Sequence, residues 1–185
     1  MIITLSGLPG SGKTTVTKMI AERLNMKWHS MGDLRGKMAK ERGMTIDELN
    51  KLGMKEAFTD KEIDEYQKNL GQTEDNFVVD GWMSWHFIPH SLKIFLKIDP
   101  DEGARRIFEA RKGKGREDEP EYTSLEETKR VLEERVRNSQ KRYLKYYEVD
   151  YLNPDNYDVI IDTTHMTPEE SFQKIQKLIK EKAES

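Results

Sequence analysis

Residues Gly7-Leu8-Pro9-Gly10-Ser11-Gly12-Lys13-Thr14 form a complete G-x-x-x-x-G-K-[ST] phosphate loop. No other feature restricts the fold as much. The loop works only where a strand ends and a helix begins, and the chain supplies both. Ile2-Ile3-Thr4-Leu5-Ser6 reads as the strand, and about Lys13 to Leu24 as the helix. Backbone N–H groups of such a turn cradle phosphate, and the helix N-terminus adds a favourable dipole. Lys13 brings a point charge to the β- and γ-phosphates, and the Thr14 hydroxyl is a direct Mg²⁺ ligand. Thr15 completes the set expected to hold the phosphates of a nucleotide.

The rest of the chain fits one α/β domain of 185 residues. Five apolar runs, at about 2–6, 26–29, 77–80, 92–98 and 157–161, read as strands separated by helical segments. Phe77-Val78-Val79 and Val159-Ile160-Ile161 are continuous, as in a parallel sheet covered on both faces. Capping-box patterns mark helix starts at Thr45 with Glu48, Ser124 with Glu127, and Thr167 with Glu170. Asp99-Pro100-Asp101-Glu102 starts another helix.

A net charge of −3 gives no whole-chain attraction to nucleic acid or an anionic membrane. Cysteine is absent, which excludes disulfides and thiolate metal sites. The four histidines form no spaced cluster, and each reads as structural or exposed. No charged leader or membrane-length apolar run is visible, so a cytoplasmic protein is expected.

Two stretches read as insertions. Residues 33–72 form a set of short helices, and 111–124 contain the glycine-rich, charged run Lys112 to Pro120. The latter is either a surface loop or a lid closing over phosphates, and the arginines on both sides favour the lid.

A phosphate loop serves ATPases, GTPases and small-molecule kinases alike, so the chemistry depends on what surrounds it. Asp80 ends an apolar strand and could hold Mg²⁺ through water, or simply form an Asp-Gly turn. Asp33 follows the second strand and is either a second outer carboxylate or a helix cap. Arg106 and Arg111 border the lid, while Arg135 and Arg142 are seven residues apart on one helix face. Phosphoryl transfer needs several such donors, and arginine can contact two oxygens at once. The plain alternative is a solvated basic face paired with Glu133 and Glu134.

These landmarks carry a resemblance. The phosphate loop, Ser30-Met31-Gly32-Asp33, the segments Met38–Met44 and Asp60–Asp64, Asp80-Gly81, Arg106–Arg111, Ser139–Asp150 and Ile161–Thr164 occur in the order seen in nucleoside monophosphate kinases. The chain most resembles their archaeal-type cytidylate kinases. The resemblance implies a three-layer α/β/α phosphate-loop fold with a five-stranded parallel sheet, a helical monophosphate-binding insert and a short lid. It implies transfer of the ATP γ-phosphoryl group to CMP or dCMP, with Mg²⁺. It places Arg106 over adenine, the Thr164-His165 turn beside it, and Arg111, Arg135 and Arg142 on phosphates. Asp33 and Asp80 would orient the metal's waters.

Two positions depart from the wider family. Glycine at 36 stands where an acceptor-phosphate arginine is expected, with Arg35 one residue early, a rotation of about 100° on a helix. Trp82 follows Asp80-Gly81 where many members carry arginine. Arg35, Lys37 or Arg42 is expected to compensate. Trp82, Trp85 and Phe87 are either core or a base-stacking surface. The departures leave open a kinase of the same mechanism with another monophosphate or small acceptor. A partner-dependent ATPase or switch is the other alternative. The expected partners are small nucleotides, with a monomer as the simplest assembly.

Overall fold

A computed structural model describes residues 1–56, 58–111 and 122–183. In chain order, β1 (Ile2–Gly7) leads into α1 (Lys13–Arg23) and β2 (Lys27–Ser30). Three helices follow, α2 (Met31–Glu41), α3 (Ile46–Gly53) and α4 (Phe58–Thr73). Then come β3 (Phe77–Asp80), the single turn α5 (Ser84–Phe87) and β4 (Leu92–Lys97). The long helices α6 (Pro100–Arg111) and α7 (Leu125–Tyr147) precede β5 (Val159–Asp162) and α8 (Pro168–Ala183). Of the proposed lid at 111–124, residues 112–121 lie outside the described residues.

The five strands form one parallel sheet in the order β2-β3-β1-β4-β5. The helices required between parallel neighbours divide into two layers. Ile3, Leu5 and Val78 point to the layer of α1 and α8, where Val16, Ile20, Phe172 and Ile175 cover them. Ile2, Phe77 and Val79 point the other way, onto Met38, Leu49 and Ile63 from α2 to α4. This alternation explains why Phe77-Val78-Val79 is apolar without a break and why β1 and β3 are buried throughout. A third cluster is aromatic and includes Trp85 and Tyr151, with Trp82, Tyr143, Tyr147 and Tyr157 packed on it.

The sheet register places the site. Leu5 pairs with Asp80 and Ser30 also pairs with Asp80, so the carboxylate sits at the sheet's carboxyl edge beside the phosphate loop. Gly10 has φ +79, and a Cβ there would lie 2.3 Å from the Gly103 carbonyl oxygen. Glycine therefore lets the loop rest directly on the first turn of α6.

Local start signals perform with one variation. The Thr45–Glu48 capping box is complete, and Thr167 with Glu170 makes the same reciprocal pair. Ser124 caps Glu127 N, but the Glu127 carboxylate accepts from the Thr123 N–H and hydroxyl instead of returning to Ser124. The last strand starts at Val159 rather than at 157. Tyr157 is held out of the ladder because its hydroxyl donates to the Tyr151 carbonyl at 2.6 Å and its ring packs on Phe95. No described helix is long and apolar enough to cross a membrane.

Candidate active site

A cleft of about 810 Å³ runs along the carboxyl edge of the sheet, between α2–α4 on one side and α6–α7 on the other. Its floor at one end is the phosphate loop, from which Pro9, Gly10, Gly12, Lys13, Thr14 and Thr15 line it. Lys13 Nζ donates to the carbonyls of Gly7 and Leu8 at 2.8 and 2.9 Å. Thr14 Oγ1 donates to Asp80 Oδ2 at 2.8 Å. Asp80 Oδ1 accepts from the Trp28 indole N–H at 3.3 Å, so both carboxylate oxygens are oriented.

Burial lowers the Lys13 pKa to about 8; nearby Asp80 opposes the change and nearby Arg135 adds to it. A triphosphate brought against Lys13 favours the charged form. ATP binding without metal is therefore expected to take up a fraction of a proton at about pH 8.5 and much less near pH 7. Calorimetry in buffers of different ionisation enthalpy measures this, and a Lys13→Met variant should abolish the buffer dependence. Equal heats in all buffers for the wild-type protein would place the Lys13 pKa elsewhere.

The donor set suits a hard cation that keeps most of its water. Among the described residues no group of three or more His, Asp or Glu side chains converges as a metal cage. One threonine hydroxyl beside a fixed carboxylate, facing a phosphate cradle, is what Mg²⁺ shared with phosphates needs. Asp33, whose N–H is capped by Ser30 Oγ at 3.2 Å, lines the same end.

The far end of the cleft is built from four helices, α2, α3, α4 and α7. Arg35 on α2 donates through Nη1 to Asp60 Oδ1 at 2.7 Å and through Nε to Asn50 Oδ1 at 2.7 Å. Arg142 on α7 pairs through Nε with Asp60 Oδ2 at 2.9 Å. Asp60 is 4% exposed and Arg142 is 2% exposed. Two guanidinium groups on one buried carboxylate leave a net positive pole. This corrects the solvated-face alternative for Arg142. Tyr143 stands beside it, its ring 5.1 Å from the guanidinium.

Despite its one-residue displacement, Arg35 is turned into the cleft by α2, while Gly36 is buried. Lys37 and Arg42 do not line the cleft. Lys37 lies about 200° around the helix from Arg35 and is exposed beside Glu41. Arg42 lies two turns beyond Arg35, about 10 Å along the axis, and pairs with Glu62. Trp82 lines the cleft with one ring face stacked on Tyr151, at 5.3 Å and 13°. Trp85 is buried and Phe87 packs in the aromatic cluster, so these two are core.

Arg106, Arg111 and Arg135 all reach the cleft. Arg106 is held by Glu102 at 2.8 Å and by the carbonyls of Thr163 and Thr164 at 3.0 and 2.9 Å. Thr164 and His165 themselves do not line it; Met166 and Pro168 form that wall. The Arg111 guanidinium lies 4.5 Å from the Tyr122 ring. None of the four histidines lines the cleft. Sequence reasoning gave no site role to Asn50, Asp60, Asp64 or Gln67, although Asp60–Asp64 was among the segments that carry the resemblance. Three of these form a polar stripe at i, i+4 and i+7 on α4, a spacing that puts them on one face.

Known proteins agree with this geometry. Residues 2–165 match the model of the cytidylate kinase-like family. A cytidylate kinase of Archaeoglobus fulgidus is 35% identical over 183 residues, covering 98% of this chain and 96% of its own. A cytidylate kinase of Methanocella arvoryzae is 37% identical over 166 residues, covering 89% and 88%. In three dimensions, shikimate kinase from Bacteroides thetaiotaomicron superposes with a TM-score of 0.64 over 97% of this chain and 98% of its own. At 19% identity that likeness speaks for the phosphate-loop kinase fold alone. Through its matched residues and its full-length relatives, the chain belongs to the cytidylate kinase-like family.

Proposed function

We propose that this protein transfers the γ-phosphoryl group of ATP to CMP or dCMP, giving ADP and CDP or dCDP. The observation that carries the reading is the two-ended cleft. The phosphate loop and Lys13 lie at one end, and the Arg35–Asp60–Arg142 group lies at the other. A donor triphosphate and an acceptor monophosphate need two such poles in one space. The names borne by the full-length relatives support cytidylate as the acceptor.

The placement of the residues supports the following roles. Lys13 and the loop N–H groups hold the β- and γ-phosphates, and Arg106 lies over adenine against the Thr163–Met166 turn. Arg111 and Arg135 hold charge on the transferring group, while Arg35 and Arg142 anchor the acceptor phosphate. Mg²⁺, when bound, neutralises phosphate charge; Thr14 would ligate it, with Asp33 and Asp80 orienting its water. The acceptor already presents an anionic oxygen, so positioning and electrostatics suffice without a side-chain base. Helices α2 to α4 form the monophosphate-binding insert, and 111–124 form the lid. The enzyme acts as a cytoplasmic monomer on small nucleotides.

Trp82, in place of a second acceptor arginine, favours one further reading: the same mechanism with a different acceptor. Initial rates of ADP formation from Mg-ATP with CMP, dCMP, UMP, AMP, GMP and dTMP separate the two. CMP or dCMP is expected to give the highest kcat/KM. Another acceptor ranking first would transfer the proposal to it. Rates that no monophosphate raises above background would leave a partner-dependent ATPase.

A further inference from the structure

The α4 stripe continues past Asp60, and its next two members serve no phosphate. Asp64 is 7% exposed and Gln67 is 3% exposed, and both line the cleft beyond the arginine pair. Each is fixed by a neighbour through one end of its side chain. The Tyr147 hydroxyl donates to Asp64 Oδ2. The Ser84 hydroxyl donates to Gln67 Oε1 at 2.6 Å, and Ser84 is fully buried. These partners leave Asp64 Oδ1 as an oriented acceptor and the Gln67 amide N–H₂ as an oriented donor. Apolar side chains line the same cleft, among them Ile46, Ile63 and Met83. Buried polar groups fixed in this way discriminate strongly, because a mismatched ligand leaves them unpaired.

We infer that Asp64 and Gln67 read the base of the acceptor, selecting an amino-pyrimidine over an oxo-pyrimidine. Cytosine presents a 4-amino donor followed by the N3 acceptor. Asp64 accepts from the first, and the Gln67 amide donates to the second. Uracil reverses both groups, setting O4 against a carboxylate and N3–H against an N–H₂. Residues three apart on a helix face each other, so both side chains converge on one ring edge. Burial, eased by the Tyr147 bond, raises the Asp64 pKa only to about 6, so the acceptor form prevails at neutral pH. This assignment rests on the monophosphate-kinase reading and adds the determinant of base choice to it.

The test compares kcat/KM for CMP and UMP in the wild-type enzyme, Asp64→Asn, and the double variant Asp64→Asn with Gln67→Glu. It adds a CMP analogue in which hydrogen replaces the 4-amino group. The wild type is expected to prefer CMP over UMP by about 100-fold or more, and to lose at least ~10-fold on the analogue. Asp64→Asn should lower the CMP-to-UMP ratio by at least ~10-fold, and the double variant should lower it further. Tyr147→Phe frees Asp64 Oδ2 and should lower the CMP-to-UMP ratio in the same direction as Asp64→Asn, by a smaller factor. An unchanged CMP-to-UMP ratio in folded Asp64→Asn, or an analogue as good as CMP with the wild type, overturns the inference and leaves the kinase reading intact. The analogue arm needs no variant to fold. Wild-type enzyme that no monophosphate stimulates overturns both.

Discussion

Lys13→Met is expected to lower kcat/KM by about 10³-fold while leaving the protein folded. Lys13 is the one cation of the phosphate loop itself, and its donors are preorganised by the Gly7 and Leu8 carbonyls. Losing one preorganised charge that faces developing negative charge removes two to three orders of magnitude. Stability follows a different rule. The folded-state pKa of Lys13 is lowered, so between about pH 8 and the ordinary lysine value the unfolded chain binds more protons. The Lys13 contribution to stability should therefore rise with pH across that window, and the difference should vanish in Lys13→Met. Urea titrations at a series of pH values, run beside initial rates, measure both. Turnover within a few-fold of wild type would remove Lys13 from the reaction.

Arg142→Ala carries the second large effect, and it falls on folding as well as chemistry. Seen only as one of two arginines on a helix face, Arg142 could be removed with little cost in stability. The structure overturns that expectation, because the side chain is buried against Asp60. Removing one partner of a buried pair costs about 3–5 kcal/mol, since the other charge stays behind desolvated. Here Arg35 still neutralises Asp60 at 2.7 Å, so roughly 2–4 kcal/mol is expected. Turnover should fall by about 10²-fold in the fraction that remains folded. The denaturation midpoint and kcat must be read together. A cycle with Asp60→Asn isolates the pair, and the double variant should be more stable than the sum of the single losses implies. Additive losses would show that Asp60 and Arg142 act separately. Near-normal stability in Arg142→Ala would show that the buried pair does not support the fold.

Much of the fold was legible because its determinants are local. A strand running into a glycine turn and a helix needs only consecutive residues, and so do the boxes at Thr45 and Thr167. The continuous runs implied a sheet covered on both faces; β3 is buried at every position, whereas the edge strand β5 leaves Ile160 42% exposed. The phosphate end of the cleft was readable for the same reason, since Gly10 to Thr15 are contiguous. Tyr157 shows the limit: its apolar neighbours suggested a strand, yet its hydroxyl found a closer partner in the Tyr151 carbonyl.

The acceptor end was not legible, because no short window contains it. Arg35, Asp60 and Arg142 come from three helices, and each alone looks like an ordinary surface charge. Helical spacing identifies which residues share a face but not which face meets another helix. That choice is made by apolar packing of α2–α4 on β3, which turns Arg35 inward and leaves Lys37 in solvent. It also brings Asp64 and Gln67 to the cleft wall. By itself the sequence determined the sheet, the phosphate loop and the nucleotide chemistry, since these depend on neighbours along the chain. Only the tertiary structure decided which charges pair, which are buried and what faces the acceptor, since burial is a property of distant segments packed together.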